Sequence, residues 1–384
     1  MTCNCGAFNK PWQHIYAVPF KPFSLVSITP YTASKAAKYE NVAAYHGLDC
    51  CKRYAAIVAG GSDSTVSIWD VTSPELPVFK SKIVLSGSYN IVIECIGGHI
   101  YAFIPASGGQ TLTILNLDDP SSMKIVSSTK VTNAAPYAIY SVAYANGYCY
   151  LATQSVGLTV LDVGGGLSGG TLTHPVQTYQ EGGTINKTGG VDVSPDGKYV
   201  YTTNYSTTFP ATVRYLKTWS LFGAGSRSVP SLSNTYSVPG GPVSTSCKPL
   251  GVKISPNGIT AYVTDGNQGK IDIVDVTIPT IPKYLTYITP TASLVDNTLQ
   301  TVAFKCDNSQ YVYIPSGSSA TLGGVIDLYN VIMPSNPIHL SSVSTGIPHD
   351  VFGMISISDG YIYAADYGAP GGYSTIDVFT AGAQ

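Results

Sequence analysis

The sequence predicts an all-β fold: a seven-bladed β-propeller with four antiparallel strands per blade, the last blade closed by an N-terminal strand. Three observations predict it. A motif repeats seven times, each copy has the internal grammar of a four-stranded meander, and the last copy lacks a fourth strand that the N-terminus can supply.

The repeat is clearest in Ile68-Trp-Asp-Val-Thr-Ser-Pro-Glu-Leu-Pro77, which returns as Ile273-Val-Asp-Val-Thr-Ile-Pro-Thr-Ile-Pro282. With that column set, weaker copies begin at Asn116, Asp162, Ser220, Asn330 and Asp377. The seven positions 70, 116, 162, 220, 275, 330 and 377 lie 46, 46, 58, 55, 55 and 47 residues apart.

Each unit opens on a short alternating apolar run, such as Gly190-Val-Asp-Val-Ser194 or Gly251-Val-Lys-Ile-Ser255. A tight turn follows: Ser194-Pro-Asp-Gly197, Ser255-Pro-Asn-Gly258, Asn146-Gly147 or Ser358-Asp-Gly360. Pro presets φ for the turn and Gly accepts the positive φ that follows, so these read as β-hairpins. The second run carries a recurrent tyrosine, at Tyr101, Tyr150, Tyr201, Tyr262, Tyr313 and Tyr363. A Gly/Ser loop leads to the third run, exemplified by Lys270-Ile-Asp-Ile-Val-Asp275. Its final Asp or Asn can accept a hydrogen bond from its own backbone and start the proline-containing turn. The fourth run is typified by Tyr284-Leu-Thr-Tyr-Ile-Thr289. No stretch has helical periodicity. The seventh unit ends at Thr375-Ile-Asp-Val-Phe379, too close to Gln384 for a fourth strand, and Pro22-Phe-Ser-Leu-Val-Ser-Ile-Thr-Pro30 resembles one. Residues 22–384 are therefore expected to form the propeller and residues 1–21 an N-terminal arm.

Composition narrows the function classes. The chain has 384 residues, of which only 11% are charged, with a formal charge of −2. That balance leaves no basic footprint for nucleic acid, and no apolar run is long enough for a membrane-spanning helix. Met1-Thr-Cys-Asn-Cys-Gly6 lacks the basic-then-apolar profile of a secretory signal. Eight cysteines are too sparse for a disulfide scaffold and show no paired zinc spacing, so most are expected to be buried free thiols of a chain made in a reducing compartment.

The D-V-T-x-P-x-x-P units and strands such as Ala261-Tyr-Val-Thr264 resemble the LVIVD and YVTN classes of β-propeller repeat, over roughly residues 22–380. The resemblance implies the propeller fold and a place among binding modules, lactonase-like enzymes and structural proteins of microbial surfaces. It assigns no activity.

No catalytic grouping and no cofactor motif stands out. For a metal-dependent lactonase-like hydrolase, Asn186, Asp296, Asn297, His349 and Asp350 are weak candidate cation ligands on the loops between strands two and three or between blades. For protein contact, blade four is enlarged: its second-to-third-strand loop is expected to run from Tyr205 through Phe209 and Arg214 to Tyr215, residue types that anchor interfaces. The N-terminal arm adds Trp12, Tyr16 and Phe20, and such an apolar arm calls for a cover, either its own outer strands or a neighbouring subunit. The preferred expectation is a non-enzymatic propeller serving as a structural and protein-interaction module in an assembly. A virion or a cell-surface layer, reached after synthesis in the cytosol, would suit it. The alternatives are the lactonase-like hydrolase and a carbohydrate-binding surface module.

Overall fold

The computed structural model describes residues 24–380 apart from 31–36, 62–63, 86, 89, 107–109, 132–138, 154–155, 165–166, 168–176, 180–185, 207–213, 224, 240–248, 266–268, 293–301, 305–309, 318–323, 345–351 and 367–374. The chain opens with β1 (Ser24–Pro30). Blade 1 is then β2 (Ala37–His46), β3 (Arg53–Gly61), β4 (Thr65–Asp70) and β5 (Val78–Val84); blade 2 is β6 (Val92–Ile96), β7 (His99–Ala106), β8 (Thr111–Asn116) and β9 (Lys124–Lys130). Blade 3 comprises β10 (Ile139–Ala145), β11 (Tyr148–Thr153), β12 (Gly157–Asp162) and β13 (Gln177–Tyr179), and blade 4 β14 (Asn186–Val193), β15 (Tyr199–Ser206), β16 (Arg214–Ser220) and β17 (Ser231–Ser237). Blade 5 holds β18 (Pro249–Ile254), β19 (Thr260–Asp265), β20 (Lys270–Asp275) and β21 (Lys283–Ile288). Blade 6 holds β22 (Ala303–Phe304), β23 (Tyr311–Gly317), β24 (Gly324–Asn330) and β25 (Ile338–Ser344). Blade 7 has β26 (Phe352–Ser358), β27 (Tyr361–Asp366) and β28 (Thr375–Thr380).

The fourth strand of blade 7 is β1, in the order β1-β28-β27-β26, antiparallel to β28 with Ile28 opposite Asp377. The expected closure is thus observed, and both strands lose an edge that would otherwise be unpaired. Among the described residues seven apolar clusters form, each straddling one pair of neighbouring blades; Tyr363 and Val378 of blade 7, for example, pack with Val42 and Trp69 of blade 1. Stability therefore lives between the blades.

The predicted turns form as their residues demand. Gly197 N–H donates to Ser194 O and Gly258 N–H to Ser255 O, both at 2.8 Å. Asn146-Gly147 and Asp359-Gly360 each place two successive residues at positive φ, the two-residue hairpin geometry.

The Asp/Asn column behaves as read in six blades. The N–H two residues on donates to Asp70, Asn116, Asp162, Ser220, Asp275 and Asn330 at 2.9–3.3 Å. Two register assignments need correction. In blade 7 the column position belongs to Thr380, which lies opposite Tyr361 as Asp162 lies opposite Tyr148. Asp377 instead joins a buried polar column three residues earlier, with Ser67, Thr113, Thr159, Lys217, Asp272 and Asp327. In blade 2, Tyr101 pairs with Asn116 itself, so Phe103 takes the place held elsewhere by Tyr150, Tyr201, Tyr262, Tyr313 and Tyr363. These five tyrosines are buried against the following blade and serve as packing residues.

Candidate functional site

A meander of four strands sends its first-to-second and third-to-fourth turns to one face of the disc; this is the turn face. In blades 1, 2, 4, 5 and 6 the hydrogen bonds to the column Asp, Asn or Ser open the third-to-fourth connection. Further bonds tighten the bend, from Leu76 N–H to Ser73 O at 3.0 Å and from Ile281 N–H to Ile278 O at 2.8 Å. The outcome is a set of large apolar side chains in water. Leu76 is 72% exposed and Ile281 69%, and Phe222, Ile278, Ile332 and Met333 are also exposed. Leu48 and Ile259, in first-to-second turns, add to the same face. Single exposed apolar residues are ordinary; here the third-to-fourth connections of blades 1, 4, 5 and 6 each carry at least one on the same face.

A second apolar surface runs round the rim. The outermost strands carry exposed Val84 on β5, Ile125 on β9, Leu232 on β17, Tyr287 on β21 and Leu340 on β25. Lysines guard β5, β9 and β21, whereas β17 (SLSNTYS) and β25 (IHLSSVS) contain none. Edge lysines oppose strand-to-strand pairing, so β17 and β25 combine an exposed apolar side chain with an edge that lacks this protection.

A few charged and polar groups link the innermost strands of neighbouring blades. Lys253 of blade 5 reaches Asp192 of blade 4 at 3.4 Å, and Asp192 also accepts from the Ile254 N–H at 2.8 Å. Ser356 repeats the latter role between blades 7 and 1, accepting from the Ala44 N–H at 2.9 Å. Glu94, half-buried on β6, is pushed up to about 7 by burial, and the Lys253 ammonium opposes that rise. At the junction of blades 1 and 7, His46 Nε2 meets Asp359 at 2.9 Å; their hydrogen bond raises the imidazole and lowers the carboxyl.

One group has the residue types of a hydrolase triad. Ser342 Oγ lies 2.9 Å from His339 Nε2, and Asp327 is close to both. Its wiring is different: Ser342 donates its proton to Asp327 at 2.5 Å, and Asp327 approaches the same imidazole nitrogen that Ser342 does. A triad needs the carboxylate on the other nitrogen, leaving Nε2 free to take the serine proton. Here Asp327 also accepts from Thr291 N–H at 2.7 Å, so the group clips the blade 5-to-6 connection onto blade 6.

The face opposite the turn face carries the loops read as candidate metal sites. Asp296, Asn297, His349 and Asp350 lie outside the described residues, as do Trp12, Tyr16, Phe20 and Phe209. Among the described residues no three His, Cys, Asp or Glu side chains gather to hold a metal ion. The enlarged blade 4 loop is shorter than expected: Tyr205 and Arg214 are backbone partners at the ends of β15 and β16, and half-buried Tyr215 pairs with Asn204 and Ser237. Tyr205, Arg214 and Tyr215 are strand residues because the backbone ladder between β15 and β16 runs through the pair Tyr205–Arg214. The cysteine expectation also changes. Cys149 is a buried free thiol and Cys51 an exposed one, but Cys50 and Cys95 are disulfide-bonded.

Residue types alone could not reveal the exposed apolar turns or the Glu94, Asp192 and Lys253 group. The apolar x positions of D-V-T-x-P-x-x-P were the available signal, since a solvated turn has no packing use for isoleucine.

No protein-family model matches the chain, and no curated protein matches it in sequence. Solved structures do. A candidate 6-phosphogluconolactonase from Bacteroides uniformis superposes with a TM-score of 0.63 at 17% identity, over 82% of this chain and 89% of that one. The β-propeller domain of Cps50 (Swd1) from Myceliophteria thermophila gives 0.59 at 12%, over 94% and 99%. A functionally unknown protein from Desulfotomaculum acetoxidans gives 0.53 at 13%, over 79% and 86%. These likenesses establish the seven-bladed fold and carry no activity with them.

Proposed function

We propose that the chain is a non-enzymatic structural and protein-interaction module of a larger assembly, built from LVIVD/YVTN-type repeats. The rim carries this reading: the fourth strands of blades 1, 2, 4, 5 and 6 each present a large apolar side chain to water, and two of those edges have no lysine. With 42 charged residues in 384, little like-charge repulsion keeps copies apart. Two bonded cysteines favour a working place more oxidising than a cytosol, which suits a virion or a cell-surface layer. No observation on the described residues favours the lactonase-like or the carbohydrate-binding alternative.

The test is self-association through the rim. Sedimentation of the full chain is expected to show concentration-dependent assembly, weakened at least tenfold by the pair Leu232→Lys and Leu340→Lys. A wild-type chain that stays monomeric up to about 100 μM would count against the reading, since a rim contact weaker than that contributes under roughly 6 kcal/mol.

A further inference from the structure

We propose that the turn face is the docking surface for the chain's own N-terminal segment, residues 1–23. This goes beyond the assembly reading, which rests on the rim.

The first argument is where the segment meets the disc. Third strands run toward the turn face, and β1 is antiparallel to β28, the third strand of blade 7. β1 therefore starts on the turn face, and residue 23 joins the propeller there. Its neighbours on either side are blade 6, with exposed Ile332 and Met333, and blade 1, with exposed Leu48 and Leu76. Twenty-three residues reach at most about 80 Å when extended, ample to cross several blades. A covalently attached segment also has a high effective concentration at its own face, which favours that face over a neighbour's.

The second argument is chemistry. Residues 1–23 contain Phe8, Trp12, Ile15, Tyr16, Val18, Phe20 and Phe23, against two charges, Lys10 and Lys21. Pro11, Pro19 and Pro22 disfavour a helix and suit an extended chain laid over projecting turns. The exposed Leu, Ile, Met and Phe of the turn face are the matching half of such a contact.

A third observation is independent of both. Cys50, in the β2–β3 turn, and Cys95, one residue from the end of β6, are disulfide-bonded and lie at the turn-face ends of blades 1 and 2. The segment entering beside blade 1 carries Cys3 and Cys5. Oxidised sulfur thus sits where a segment bearing two cysteines is within reach.

The experiment is limited chymotrypsin digestion of the full chain, followed at Phe8, Trp12, Tyr16 and Phe20 by mass spectrometry. It compares wild type with the variant Leu76→Glu/Ile281→Glu/Ile332→Glu, whose substitutions fall on exposed turn positions. Cleavage in the variant is expected at least tenfold faster than in wild type. Equal rates would overturn the proposal. Protection in wild type should survive a hundredfold dilution; protection lost on dilution would assign the segment to a second copy and overturn docking on its own face. The rim pair Leu232→Lys and Leu340→Lys should leave the digestion unchanged, so failure of the rim reading and failure of this one are separate results. If the triple variant is misfolded by circular dichroism, Ile281→Glu alone is read against Thr280→Glu, and the first must accelerate cleavage more than the second.

Discussion

Glu94 shows how a single side chain takes its chemistry from the assembled ring. Burial lifts it from 4.5 to about 7, so ionising it costs the folded state free energy that the unfolded chain does not lose. Stability should therefore fall as pH rises from 4.5 to about 7 and level off above. Glu94→Gln is expected to be more stable than wild type by about 1–3 kcal/mol at pH 8 and equal to it at pH 4.5, by urea denaturation. The tyrosines give a second contrast. Tyr150 OH donates to Arg227 O at 3.0 Å, whereas Tyr201 OH is buried with no hydrogen-bond partner among the described residues. Tyr150→Phe should cost about 1 kcal/mol and Tyr201→Phe should be neutral or stabilising, as measured by the same denaturation. The tyrosine column was legible because it recurs at a fixed distance from a turn. Glu94 was not, because nothing adjacent to it in sequence says that Lys253, far along the chain, will face it.

Among the elements, the turns were the most readable part, since Pro, Gly, Asp and Asn act through their own backbone. Asp275→Ala removes the acceptor for Thr277 N–H and should lower stability by about 1 kcal/mol without changing the fold, checked by thermal melting. Strand extents were harder. Gly/Ser loops and polar strands share a composition, so the sequence pattern ends β15 before Tyr205 and starts β16 after Tyr215, although the ladder pairs Tyr205 with Arg214 and Asn204 with Tyr215. In blade 2 the turn is Gly97-Gly98, without the flanking Ser-Pro-Asp landmark, and the tyrosine was placed two residues out of register. Gly190 exposes a constraint that repeats alone cannot: a Cβ there would stand 2.8 Å from Gly251 Cα in the next blade. Gly190→Ala should force the inner strands of blades 4 and 5 apart and cost about 1–3 kcal/mol, as overpacked cores do.

At the scale of the molecule, the junction of blades 1 and 7 holds a pH-sensitive pair. His46 is raised above 6.5 by its bond to Asp359, so its contribution is complete below pH 6.5 and fades as pH climbs through the raised value. Asp359 is lowered below 3.8 by His46, so its contribution is complete above 3.8 and fades as pH falls through the lowered value. The pair should help most between pH 3.8 and 6.5, where Asp359→Asn is expected to lower the melting temperature by about 1–3 °C and to matter less at pH 8. Seven-fold closure was legible from the missing last strand, because a ring leaves arithmetic in its sequence. What contacts the rim and the turn face was not, because an exposed isoleucine in a turn looks like any other until the fold gathers it with its fellows. The join between β1 and β28 also imposes an order on biosynthesis. β1 is synthesised about 350 residues before its partner β28, so the strands of six blades can form while it waits with neither edge paired. Among the described strand pairings this one closes the longest loop and carries the largest closure entropy. A nascent or truncated chain therefore displays a sticky strand that the finished ring conceals, and a chaperone or a second nascent copy has until β28 emerges to find it.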